Sequence, residues 1–346
     1  MKVDGKAKLL SVLSGQVETP PPVWLMRQAG RYLPEYQAVR AKAGSFWAMA
    51  TTPELAAQVT LQPIERFGFD AAIIFSDILV VPDALDVAVT FEEGVGPRLS
   101  RLLDVGGLER DPGVWAAKLA PTYEALRLVR RRLEPSKALL GFAGAPWTLA
   151  TYMAEGGGSP DQRAAKLWGY RDPADFAAFL DLIGDCVAQH LIAQLDAGAD
   201  AVQIFDSWAS GLPVQAFADW VVTPTKRVVD KVRKAKPAAN IIGFPRAATL
   251  DGYAKYVSET RVDAISLDTA ASMRWAVSQF GGRTVIQGNL DPIALIAGGN
   301  ALEAGVADIL AASRGIPFVF NLGHGILPET PPEHVAELVA LVRGKR

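Results

Sequence analysis

Cysteine is nearly missing from this chain of 346 residues, with Cys186 standing alone. A single cysteine forbids an internal disulfide and any zinc site built from several thiolates, and it is the ordinary usage of a reducing cytoplasm. An excess of charge of one sign is also missing, since 35 basic residues face 37 acidic ones. That balance argues against nucleic acid or an anionic membrane as an obligate partner, so any anion binding must come from a local cluster. Long apolar runs are missing too. Nothing approaches about 18 uninterrupted apolar residues, the rough minimum for a membrane span. The first fifteen residues mix Lys2, Asp4, Lys6 and Lys8 with short apolar pairs, unlike the core of a signal peptide. Linkers rich in Pro and Ser, low-complexity tracts and short internal repeats do not occur. These absences lead to an expectation of one domain over residues 1–346, cytoplasmic, with neither nucleic acid nor a membrane as partner.

What the chain does have is apolar mass, half of its residues, enough for a large core. It is arranged in eight short β-rich runs bounded by Gly, Pro, Asp or Ser: 23–26, 71–75, 139–142, 201–205, 241–244, 264–267, 284–287 and 318–320. Amphipathic helical stretches separate them. Thr52 ahead of Pro53 and Glu54 reads as an N-cap with proline in the first turn. Thr330 with Glu333 reads as a capping box before a helix that stops at Gly344. Most of the runs are continuously apolar, as buried parallel strands are. Eight of them alternating with helices favour a single (β/α)₈ TIM barrel over a doubly wound open sheet. Residues 87–108, with Glu92, Glu93, Gly94, Gly96 and Pro97, read as an insertion in the second βα segment, with the composition of a small hairpin.

In such a barrel the chemistry sits where the strands end, and the residues after each run are polar. Arg27, Gln28, Arg31 and Tyr32 follow the first run, and Ser76 and Asp77 the second. Pro146, Trp147 and Tyr152 follow the third, and Asp206 and Ser207 the fourth. Asp268, Asn289 with Asp291, and Asn321 with His324 follow the sixth, seventh and eighth. Each also has a plain structural use. The arginines suit surface ion pairs, His324 a turn, Tyr152 packing, and Asp206 a partnership with a nearby base. Asp77 lies inside an apolar run, where a carboxylate needs partners or a helix to cap. His190 and His334 lie in helical stretches and read as structural. Gly156-Gly157-Gly158 lacks the Lys-Ser/Thr ending of a phosphate loop and reads as a plain loop.

The segment Met26-Arg27-Gln28-Ala29-Gly30-Arg31-Tyr32-Leu33-Pro34-Glu35-Tyr36 resembles the N-terminal signature of the uroporphyrinogen decarboxylase family. Segments 72–79 (AIIFSDIL), 141–149 (GFAGAPWTL), 287–292 (QGNLDP) and 321–325 (NLGHG) are similar to further motifs of that family, in the same order. The resemblance spans roughly residues 20 to 345. It implies a TIM barrel, a homodimer, no cofactor and no metal. The implied reaction turns the four acetate side chains of uroporphyrinogen into methyl groups, giving coproporphyrinogen and CO₂ in heme biosynthesis. Carried over by position, Arg27, Arg31 and Arg40 would face substrate carboxylates, and Asp77 the pyrrole N–H groups. Tyr152, Ser207 and His324 would complete the pocket, with Asp77, Arg27 and Tyr152 as its catalytic members. The chain departs from many relatives at Gly243-Phe244-Pro245-Arg246-Ala247 and around Ser207, so no role for Arg246 carries over.

Two other classes compete. A corrinoid-linked or zinc methyltransferase would need a thiolate and imidazole set, and none of the three histidines stands in a His-x-Cys pattern. A noncatalytic tetrapyrrole carrier would bind without releasing CO₂.

Overall fold

The structure, a computed structural model, describes residues 7–92, 96–102 and 104–345. The chain start read above for a leader (residues 1–6) and Glu93 and Gly94 of the insertion lie outside the described residues. Nine strands are described: β1 (Ala71–Ile73), β2 (Val89–Glu92), β3 (Gly96–Leu99), β4 (Ala138–Gly144), β5 (Ala201–Asp206), β6 (Asn240–Pro245), β7 (Ala264–Ser266), β8 (Val285–Leu290) and β9 (Phe318–Leu322). Seven form one parallel sheet in the order β1-β4-β5-β6-β7-β8-β9, and β2 and β3 form a separate antiparallel pair.

Side chains alternate across each strand of the sheet. In β5, Ala201 and Phe205 point to an inner apolar cluster while Val202 and Ile204 join the larger core shared with the helices. At the N-terminal ends of the strands the inner side chains Ala71, Ala138, Ala201 and Ala264 are small. Leu9 and Leu13 of the first helix, Lys8–Leu13, pack into the same cluster and close that end. Midway along, a fully buried polar layer crosses the interior. Trp24 Nε1 donates to Gln287 Oε1 at 3.1 Å, and Gln287 Nε2 donates to Gln203 Oε1 and Ser266 Oγ, both at 3.0 Å. At the C-terminal end Phe142, Phe205 and Phe244 meet edge to face, with centroids 5.6 and 6.0 Å apart. Phe142 and Phe205 keep some exposure and form an apolar floor.

The run 23–26 is not a strand of this sheet. It makes one parallel bridge, Val23 to Phe320, flanked by Phe320 N donating to Pro22 O and Trp24 N to Phe320 O. On its other side Asp70 N donates to Val23 O and Val23 N to Asp70 Oδ2. The ladder goes no further because prolines 20–22 have no N–H to give. The next donors are taken by side chains, Leu25 N by Gln28 Oε1 and Met26 N by Asn321 Oδ1. The run 71–75 is likewise cut short, since Phe75 N donates to Thr60 Oγ1.

Two helix boundaries also differ. Thr52 stands at the N-cap before Pro53, but its hydroxyl donates back to Ala48 O at 2.7 Å and does not cap. The last helix, Pro332–Val342, starts behind Pro331 with no side-chain cap, so Thr330 and Glu333 form no capping box.

The long helix Pro173–Asp196, mean hydropathy 1.4, is apolar enough by length and composition to cross a membrane, though 61% of that window is buried inside the fold. Cys186 and His190 lie on its buried side. Residues 87–108 carry the β2-β3 hairpin, whose Phe91 packs on Phe46 and Trp47. Just past it, donors reach the C-terminal end of the helix Pro146–Glu155. Leu102 N donates to Met153 O, Arg101 Nε to Ala154 O and Leu99 N to Gly156 O, all within 3.0 Å. Carbonyls that a helix end leaves unpaired are satisfied there, and the helix that carries Tyr152 is held in place.

Candidate active site

The polar candidates follow the C-terminal ends of the strands, the end at which Phe142 and Phe205 keep some exposure. Asp77 follows β1. Its Oδ1 accepts from Leu79 N at 2.8 Å, a local turn of the kind a capping aspartate makes. That bond uses one oxygen only. Protein crowds the rest of the carboxyl, and burial pushes Asp77 up to about 6, against the Leu79 N–H and the Arg27 charge, which pull it down. It is therefore ionised at neutral pH and protonated a little below.

Arg27 is the common neighbour of the site. Its charge is felt by Asp77, Tyr152 and His324. Its backbone sits at φ 60, a region costly for a residue with a side chain. Gly325 makes the space, since a Cβ there would collide with the Arg27 side chain. His324, beside Gly325, is lowered to about 4 by burial and by the charges of Arg27 and Arg246, so it stays a neutral imidazole at working pH. The phenol of Tyr152 is raised by burial and by Asp77, which keeps it protonated.

Tyr152 is braced through contacts that the sequence reading did not foresee. The Trp208 ring meets it edge-on with centroids 5.8 Å apart. Trp208 in turn is held by its N–H donating to Thr148 Oγ1 at 3.1 Å and by its carbonyl accepting from Trp147 Nε1 at 2.8 Å. Thr148 Oγ1 donates onward to Asp206 Oδ1 at 2.5 Å. Ser207, between Asp206 and Trp208, is thereby fixed at the end of β5. The available signal was spacing: Thr148 and Tyr152 are one helical turn apart, so both face the same side.

Asp206 pairs with no base, contrary to the structural alternative considered for it. Its Oδ2 is buried without a partner, and burial pushes the group up to about 7. A carboxyl raised above its ordinary 3.8 favours the fold while protonated, and that stability is fully present below about 4 and is withdrawn progressively as pH rises to about 7. A rise of this size corresponds to about 4 kcal/mol. Asp206→Asn keeps the acceptor for Thr148 and cannot ionise. Urea unfolding should therefore find the variant gaining on the parent between pH 5 and pH 8, by about 2–3 kcal/mol, the rest having been lost already between about pH 4 and pH 5. An equal difference at both pH values would mean that Asp206 carries no buried proton.

Arg31 and Arg40 both act on Tyr36, Arg40 the more strongly, and lower its pKa against the rise that burial causes. Tyr36 and Phe46 pack against Phe75, two residues before Asp77, and Arg40 lies over the Phe46 ring at 5.9 Å. Many arginines on the outer surface are ion-paired, as Arg66 with Glu35, Arg130 with Asp200 and Arg233 with Asp263. Among the described residues Arg27, Arg31, Arg40 and Arg246 have no carboxylate within ion-pair distance.

Other candidates are structural. Asn289 Nδ2 donates to the carbonyls of Asp268 and Ala271, and Asp291 caps the helix Pro292–Ala297. His190 bonds Tyr123 Oη and is lowered by burial to about 3, while His334 Nδ1 meets Leu295 O. Gly156 ends the Tyr152 helix in the left-handed region, and Gly157 bridges to Arg98, so 156–158 is a packed turn. Burial pushes the Cys186 thiol up to about 12, unsuited to a metal thiolate.

Past the strand ends of a parallel α/β scaffold, arginines without ion pairs and two carboxyls raised toward neutrality, Asp77 and Asp206, have the character of an enzyme site. The family model for uroporphyrinogen decarboxylase (URO-D) matches residues 4–344. A uroporphyrinogen decarboxylase of Chelativorans sp. is 52% identical over 341 residues, covering 98% of each chain. One of Rhodospirillum rubrum is 47% identical over the full length of both. The chain belongs to the uroporphyrinogen decarboxylase family of carboxy-lyases. Among solved structures, a methyltransferase from Methanosarcina mazei has a TM-score of 0.82 at 20% identity, covering 99% of each chain, a likeness of fold alone.

Proposed function

We propose that the cleft binds uroporphyrinogen and converts its four acetates to methyl groups, with Asp77 as the central electrostatic group. The observation that carries this reading is Asp77 itself, a carboxylate with one free oxygen at the end of β1, crowded by protein beside Arg27. The pyrrole N–H groups of a folded macrocycle would converge on it. Protonation of a ring carbon next to the acetate-bearing position makes the ring cationic. The bond to the carboxyl carbon then breaks, its electron pair forms an exocyclic methylene that neutralises the ring, and CO₂ leaves. A second proton turns the methylene into methyl while the ring carbon gives its proton back. A fixed anion at the N–H groups stabilises the cationic stage, the inverse of an oxyanion hole and worth about 3–4 kcal/mol.

Phe142 and Phe205 would support the macrocycle, and the unpaired arginines would take its acidic arms, because a guanidinium binds carboxylates bidentately and stays charged. Tyr152, Ser207 and His324, all neutral at working pH on this reading, would line the same wall. In the same proposal residues 22–26, hydrogen-bonded on both sides, complete the curled sheet as the eighth stave of a closed TIM barrel. The protein would act as a single-domain cytoplasmic homodimer without a cofactor, as the resemblance implies.

Incubation with uroporphyrinogen tests the proposal. CO₂ and less carboxylated porphyrinogens should appear together, whereas binding without CO₂ would make the protein a carrier. Within the site, Arg31→Lys keeps the charge and loses the fork, so substrate binding should weaken by about 1–3 kcal/mol. An unchanged KM in Arg31→Ala would remove Arg31 from the cleft.

A further inference from the structure

We propose that Arg246 binds a carboxylate of the substrate, completing with His324 and Arg27 an anion subsite that spans the strand ends from β6 to β9. This rests on the reading of the cleft given above and extends it to a residue for which the family resemblance offers no role.

Arg246 immediately follows β6, so it stands on the rim that carries the rest of the site. Its position is fixed by its own backbone. Pro245 is registered against Asp206 of β5, and Arg246 N donates to the Asp206 carbonyl at 3.0 Å. The chain then turns sharply, with Ala247 at φ 55 and Ala248 N donating to Pro245 O. A side chain on such an anchored turn is aimed, which lowers the entropy lost when it grips a ligand.

Among the described residues no carboxylate lies within ion-pair distance of that side chain; Asp268 acts on Tyr253, as Arg246 does. Arg246 acts electrostatically on His324 and on Tyr253, and Arg27 acts on the same His324. His324 is thus faced by two guanidinium groups and by the Gly325 N–H, and no carboxylate is among the groups acting on it. Asp268, on the Tyr253 side, accepts at Oδ1 from the N–H groups of Ala270 and Ala271 and makes no ion pair with Arg246. Arg27, exposed to solvent, and half-buried Arg246 put two like charges around one neutral imidazole, and these repel each other. An anionic arm seated among them would remove that repulsion and accept bidentate hydrogen bonds. A substrate with carboxylates around its rim needs such grips on more than one wall. Arg31 and Arg40 act on Tyr36 and are not among the groups that act on His324.

The test uses the full chain with Arg246→Ala and Arg246→Lys. In the alanine variant KM for uroporphyrinogen should rise by about tenfold or more, the scale of a charge-assisted bond, with the loss falling on KM more than on kcat. Lysine should recover only part of it, because it lacks the fork. A second readout needs no turnover. With three histidines in the chain, the His324 ring can be followed by proton NMR. In Arg246→Ala its titration should move up from about 4, since one of the two charges holding it down is gone. A parent that turns over uroporphyrinogen alongside an alanine variant of unchanged KM would overturn this inference alone. A His324 titration unmoved by the substitution would overturn the placement of Arg246. A parent inert toward uroporphyrinogen would instead overturn the reading of the cleft, and the subsite with it.

Discussion

Asp77→Asn should lower turnover of uroporphyrinogen by about 10²-fold or more, with the thermal midpoint held close to that of the parent. The variant keeps an Oδ1 for the Leu79 N–H, so the turn after β1 survives. It loses the charge, and it presents an amide donor to pyrrole N–H groups that need an acceptor. If Asp77 served only to hold that turn, Asn would replace it without loss, because the two residues cap almost equally well. Folding is therefore preserved under either role and turnover alone separates them. Asp77→Glu keeps the charge but moves it by about one methylene, and its rate should fall between the two.

Replacement of Arg27 should have the second largest effect, a fall in kcat/KM of about 10–10²-fold in Arg27→Ala, the equivalent of one or more charge-assisted bonds. Two further consequences separate this from a loss of fold. Arg27 pulls Asp77 down and depresses His324. Without it, Asp77 should titrate above about 6 and His324 above about 4. Arg27→Lys should restore much of both titrations while recovering binding only in part, since charge survives and geometry does not. An alanine variant with both titrations unmoved would place the guanidinium away from the site.

Much of the scaffold was legible because strand alternation and helix periodicity are local. Seven of the eight apolar runs are strands of the sheet, with ends shifted by a few residues. The run 23–26 failed as a strand for a nonlocal reason. Met26 N is captured by Asn321, 295 residues away, and no periodicity records such a bond. The caps at Thr52 and Thr330 failed because a hydroxyl chooses among nearby carbonyls and amides according to backbone geometry that residue type does not reveal.

For the site, position after an apolar run was enough to single out Arg27, Asp77 and His324, with Arg27 acting on both of the others. It did not reveal that Arg31 and Arg40 both act on Tyr36. The bracing chain from Asp206 through Thr148 and Trp208 to Tyr152 was hidden, because it joins the end of β5 to a helix about 60 residues earlier. The apolar floor could have been found. Phe142 and Phe205 occupy the inward phase near the ends of β4 and β5, where the alternation of each strand places them.

The most direct measurement is kcat/KM for uroporphyrinogen against pH, from 8 down to 5, in the parent and in Asp77→Asn. Since kcat/KM reports the free enzyme, the parent should lose activity on the acid side with a midpoint near about 6, as Asp77 takes up its proton. The small residual activity of Asp77→Asn should lack that step. A parent profile that stays flat to pH 5, or an identical acid step in the Asn variant, would contradict the assignment of Asp77 as the charge on which the decarboxylation depends.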